Sequence, residues 1–193
     1  MRTKLVPALL IAAFVGAMWT TAQAEGAKTP PLTVTVAVKG LKADSAKAIE
    51  KALKALEAVT DAKADGKSVL AQVKAEKTLK LSDILGAIEA ASSDKAKLEA
   101  DKAGVALLGT AAITVDGMGD AKDDDVIAIL KGVPNVEKVE GSKGTYDVTF
   151  KGAKGSTVGE VEKALQAKTK EASVKDVSWT APKAGKAGGH GSG

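Results

Sequence analysis

Valine and threonine alternate from Leu32 to Val38, with Val34, Val36 and Val38 on one side and Thr33 and Thr35 on the other. This period of two predicts a strand with one buried face. From Asp44 the spacing changes, and Ile49, Leu53 and Leu56 predict a helix laid against a core. Asp65-Gly66 marks a hairpin between an irregular strand near Val59 and a clearer one through Val69, Ala71 and Val73. Leu81, Ile84, Leu85 and Ile88 return to helical spacing. A short strand near Lys97 to Ala100 closes the series.

The same order then recurs without a gap. Val115, Gly117, Leu130, Lys131 and Val136 each follow Val38, Gly40, Leu53, Lys54 and Val59 by 77 positions, which predicts two similar domains in tandem. In the second copy Ala111, Ile113 and Val115 read as a strand, and Val126, Leu130 and Val133 as a helix. Strands follow at Val136 to Val139 and at Tyr146, Val148 and Phe150. A second helix shows Val158, Val161 and Leu165, with Thr157 and Glu160 spaced as a capping box. Val174, Val177 and Trp179 make the closing strand. Each unit is β-α-β-β-α-β, so the expected fold class is α+β, two tandem ferredoxin-like sandwiches whose helices cover one face of each sheet.

The chain ends suggest processing and a linker. Arg2 and Lys4, the apolar run from Leu5 to Met18 and the small residues Ala22 and Ala24 have the form of an export leader cleaved after Ala24. That run is shorter than the roughly 20 residues a spanning helix needs, and no later segment is better suited. After Pro182 the composition turns to Lys, Ala and Gly, as in Gly188-Gly189-His190-Gly191, the character of a flexible tail. The expected division is a leader at 1–24, domains at 30–104 and 105–181, and a tail at 182–193. Periplasmic or extracellular placement follows from the leader.

Composition narrows the chemistry. The chain carries 28 bases and 24 acids, but Arg2 and Lys4 leave with the leader, so the folded part is near neutral and offers no basic stripe for nucleic acid. Arg2 is the only arginine, and Tyr146, Phe150 and Trp179 are the only aromatics beyond the leader. Bidentate phosphate grip and base stacking both lose their usual residues. There is no cysteine, and His190 is the only histidine. Neither a thiol nucleophile nor a Gly-rich phosphate loop is present, and the lone imidazole lies in the tail, so no enzymatic activity is expected.

The element order, with Gly40-Leu41 and Gly117-Met118 directly after the first strand of each unit, resembles the heavy-metal-associated domain of copper chaperones and metal-pumping ATPases. In that family a Gly-Met-x-Cys-x-x-Cys loop precedes the first helix, and the resemblance therefore implies Cu(I) or another heavy-metal ion. Here the two cysteine positions are held by Asp120 and Asp123 in the second copy and by Ala43 and Ala46 in the first. Cu(I) selects soft sulfur ligands, and Met118 is the only sulfur near either loop. At the family's Met position, Met118 reads first as a hydrophobic anchor.

Asp116, Asp120, Asp123, Asp124 and Asp125 form the densest acidic group. Their spacing does not fit an EF-hand, since Gly117 stands second from Asp116 and Ile127 takes the twelfth place. The simpler reading is that they cap and charge the start of the helix carrying Val126. Met118, Asp120 and Asp123 remain the candidate metal ligands, weak if they act at all. No cofactor is expected.

The expected function is an exported non-catalytic binding module on a heavy-metal-associated scaffold with degenerate metal loops. It would bind a protein partner or another copy of itself through sheet edges or the helical face. The alternative is a metal-ion binding or transport protein using Asp, Met or His190 in place of thiolates.

Overall fold

The computed structural model describes residues 31–92, 97–151 and 155–182. The proposed leader and nearly all of the proposed tail, including His190, lie outside them. The first repeat contains β1 (Thr33–Lys39), α1 (Ala43–Lys54), β2 (Val59–Asp65), β3 (Ser68–Val73), β4 (Thr78–Lys80), α2 (Leu81–Ala90) and β5 (Glu99–Ala100). A short β6 (Ala106–Leu107) lies between the repeats. The second repeat contains β7 (Thr110–Asp116), α3 (Asp123–Lys131), β8 (Val136–Ser142), β9 (Thr145–Phe150), β10 (Ser156–Thr157), α4 (Val158–Gln166) and β11 (Ser173–Thr180).

The fold is α+β. The first sheet runs β2-β3-β1-β5, and the second contains β8-β9-β7-β11 in the corresponding order, the antiparallel arrangement of a split βαβ unit. The alternation read from the sequence is the alternation of burial: Val34, Val36 and Val38 are buried, as are Ala111, Ile113 and Val115. Helix α1 turns Ile49 and Leu53 inward, and α4 turns Val158, Val161 and Leu165 inward. Leu56 and Val133, read with the helices, lie just past the ends of α1 and α3. The spacing of Val174, Val177 and Trp179 departs from strict alternation because the register of β11 against β7 shifts between Val174 and Asp176, a bulge that returns Val177 and Trp179 to the core face.

The periodicity does not show that the repeats share strands. β4 of the first repeat lies outside β11 of the second, with Leu79 opposite Trp179 and Thr78 opposite Thr180. The short β10 pairs with β6, at the start of the segment assigned to the second domain. Backbone bonds from Val158 N to Val105 O (3.0 Å) and from Gly159 N to Ala103 O (2.8 Å) use carbonyls of the connecting segment to satisfy the first amides of α4. Lys102 Nζ reaches Val174 O at 2.5 Å and Glu162 Oε1 at 3.4 Å. One continuous cluster of buried side chains runs through both repeats and includes Leu79, Leu81, Val105, Leu107 and Trp179.

Among the described residues no helix is long and apolar enough to cross a membrane.

Candidate functional site

The two loops that follow β1 and β7 begin alike. Gly40 and Gly117 both have positive φ, at 80° and 74°, and a Cβ at either would collide with a backbone carbonyl, Lys97 O or Glu171 O. Glycine is therefore required twice over at this turn, by dihedral angle and by space.

The loops then diverge. In the first, Lys42 is extended at φ −127° and α1 starts at Ala43. Its first turn is closed by Ser45, whose hydroxyl accepts from Lys42 N (2.9 Å) and donates to Lys42 O (3.0 Å). Ala43 and Ala46 therefore both lie in the helix. In the second, Gly119 stands where the first has Lys42 and takes φ 58°. The chain makes an extra turn, Ala121 N to Met118 O at 3.2 Å, and α3 starts only at Asp123. Glycine's access to the left-handed region thus costs the second helix its first turn.

Met118 and Asp123 line one depression, but each candidate ligand has a setting of its own. Met118 is half-buried and packs against the core cluster, the position of a hydrophobic anchor. Asp120 is exposed on the loop. Asp123 is committed elsewhere: its Oδ1 accepts the Tyr146 hydroxyl at 2.7 Å and the Lys143 amide at 2.9 Å. Of the other acids, Asp116 Oδ1 accepts from Gly117 N at 2.8 Å and Asp125 Oδ2 from Lys122 N at 3.3 Å. The latter is the helix-start role read from the sequence, where unpaired amides favour anions. Among the described residues no group of three or more His, Cys, Asp or Glu is placed to hold a metal ion. Isolated carboxylates suit hard ions and need several more oxygen partners, so the donor set at Met118, Asp120 and Asp123 does not fit a heavy-metal ion.

From the sequence, Tyr146 is a strand residue with no assigned partner. It is 2% exposed, and burial, together with donation to Asp123, pushes its phenol up to about 12, so the hydroxyl stays a donor at any ordinary pH. The sequence does carry a signal for this pair. At the same repeat positions the first copy has Ala46 and Val69, so both polar partners are present in one copy and both are absent from the other.

Two open depressions adjoin the second loop. One, of about 390 Å³, is lined by Met118, Asp123, Lys143 and Tyr146 among others. The other, of about 540 Å³, lies between the loop, α3 and the end of α4; Met118, Ala121, Ala128 and Ile129 line it with Asp125, Lys168 and Thr169.

No family model matches the chain, and no curated protein is similar to it. Solved structures are, two of them as follows. The water-soluble region of the P-type ATPase CopA from Bacillus subtilis is 19% identical over 75% of this chain and 91% of that one, with a TM-score of 0.31. The N-terminal soluble domains of Bacillus subtilis CopA are 20% identical over 70% of this chain and 88% of that one, also at 0.31. Likeness at this level carries no conclusion about activity, and the fold assignment rests on the strand order described above.

Proposed function

We propose that the chain is an exported, non-catalytic binding module on a heavy-metal-associated type of scaffold, and that it recognises a protein partner beside the second loop. The observation that carries this reading is the depression of about 540 Å³ where Met118, Ala121, Ala128 and Ile129 meet, with Asp125 and Lys168 among its lining. Apolar side chains bordered by charge are the anatomy of a protein interface. The sheet edges support it less. β2 carries Asp61, Lys63 and Asp65, and β8 carries Glu137, Lys138 and Glu140, and such charges discourage strand addition.

A photo-crosslinking residue at Ala128, introduced in the native host with chelator present, tests the proposal. A discrete protein adduct at Ala128 and none at Asp147 on the open sheet face is the expected result. No adduct at Ala128, together with one tightly held equivalent of copper in protein isolated from its own compartment, would replace this reading with metal handling.

A further inference from the structure

In the second repeat, the place a thiolate loop gives to its second sulfur belongs to Asp123. Two donors converge there on one carboxylate oxygen: the Tyr146 hydroxyl from β9 at 2.7 Å and the Lys143 amide from the β8–β9 turn at 2.9 Å. Lys143 holds a positive φ of 55°, a conformation a lysine adopts when its surroundings fix it. Asp123 is also the first residue of α3, so the two bonds tie the loop and the helix start to the hairpin.

We infer that Asp123 does at this loop the mechanical work of a bound ion, holding Gly117–Lys122 in one conformation whether or not metal is supplied. An ion fixes a loop by drawing several ligands to one point; here the carboxylate draws two donors to one point. Diverting Asp123 to a cation would strip a 2% exposed tyrosine of the acceptor its hydroxyl uses, which opposes metal capture as well. The first repeat, with Ala46 and Val69 at these positions, closes its loop through Ser45 instead.

Amide resonances and hydrogen exchange of the full chain test the inference, using Asp123→Ala, Asp123→Asn and Tyr146→Phe, with Trp179 emission as a separate report on the fold. In the parent, the Gly117, Gly119 and Lys143 resonances should not move between chelator and added Ca²⁺ or Cu(I). With Trp179 emission unchanged, Asp123→Ala should speed exchange at the Lys143 amide by about tenfold or more. Asp123→Asn, which keeps an acceptor, should stay within about twofold of the parent, and Tyr146→Phe should shift the loop resonances. Parent-like Lys143 exchange in Asp123→Ala would overturn the inference. So would parent loop resonances that sharpen to a single set only when metal is added, or Asn and Ala variants that behave alike.

Discussion

Asp176 of β11 caps a helix of the other repeat: its Oδ2 accepts the Ser82 hydroxyl at 2.9 Å and its Oδ1 the Ser82 amide at 3.1 Å. The bulge in β11 precedes Asp176, and the same Oδ1 accepts from Val177 N at 2.9 Å, so a bond within β11 also orients the carboxylate. Losing a helix cap costs about 1 kcal/mol. Asp176→Ala should lower the urea midpoint accordingly, and Ser82→Ala, which keeps the amide bond, should lower it less. Equal effects would mean that the amide bond contributes nothing.

The seam between repeats is open to a covalent test because the chain has no cysteine. Thr78 Oγ1 and Thr180 Oγ1 lie 2.8 Å apart across the β4–β11 pair, 102 positions apart in sequence. Thr78→Cys/Thr180→Cys should oxidise within one chain, giving a faster-migrating, reductant-sensitive monomer on a gel. A loop of that length would be worth about 4.7 kcal/mol in the chain-entropy model, and the thermal midpoint should rise. Disulfide-linked dimers in place of the monomer would show that β4 pairs with β11 of a different chain.

Glu160 supplies an acid-side dependence. Donation from the Ser156 hydroxyl, the largest cause, and from the Thr157 amide holds its carboxyl below the ordinary value, at 2.7 Å and 2.9 Å respectively. A lowered folded pKa means stability that is present above the unfolded value, about 4.3, and is lost as pH falls through the folded one. Ser156→Ala should cost on the order of 1 kcal/mol at neutral pH, at the low end because Glu160 is exposed. Urea midpoints of parent and variant should draw together below about pH 4. A gap that stays constant to pH 3 would trace the loss to packing of the 3% exposed Ser156 instead.

Gly117→Ala should be among the most damaging single changes in the second repeat. The position combines φ 74° with a carbonyl where the new Cβ would stand, and each of these alone is unfavourable by about 1 kcal/mol or more. Gly66→Ala is the control: its φ is 59°, but nothing lies within 4 Å of the added carbon. A thermal midpoint equally depressed in both variants would mean that dihedral strain alone decides and the Glu171 carbonyl yields.

Restoring sulfur separates scaffold from ligands. Ala43 and Ala46 share the first turn of α1, three residues apart, where side chains are neighbours and a helix N-terminus favours thiolate. Ala43→Cys/Ala46→Cys should therefore take up one equivalent of Cu(I) against a competing chelator, while the parent takes up none. Copper held by the parent and lost in Met118→Leu would overturn the carboxylate-loop description, and a dithiol variant without copper would show that the first loop no longer presents the two positions together.

The sequence was most legible where one face of an element meets a core. Val34, Val36 and Val38, and Val158, Val161 and Leu165, are buried as their spacing predicts. The capping box at Thr157 and Glu160 is formed as its spacing predicts, because both partners lie within one turn. What stayed hidden depends on partners distant in the chain. Nothing local marks Thr78–Lys80 as a strand, since its hydrogen bonds go to Ser178–Thr180. At the loop, side-chain type offers Asp123 as a helix-start charge or a weak metal ligand, whereas its carboxylate accepts the hydroxyl of a tyrosine 23 positions away. Comparing the repeats position by position recovers that pairing, because Ala46 and Val69 depart together from Asp123 and Tyr146.

The β4–β11 pair also sets an order of events during synthesis. Thr78–Lys80 leaves the ribosome about a hundred residues before Ser178–Thr180 can meet it, and closing a loop of that length is slow compared with forming a helix or hairpin. Until then the first repeat carries an unpaired strand, with Leu79 lacking its cross-strand neighbour, and a helix start that awaits Asp176. Among the described residues, the last strand to be made is the one that finishes the first repeat.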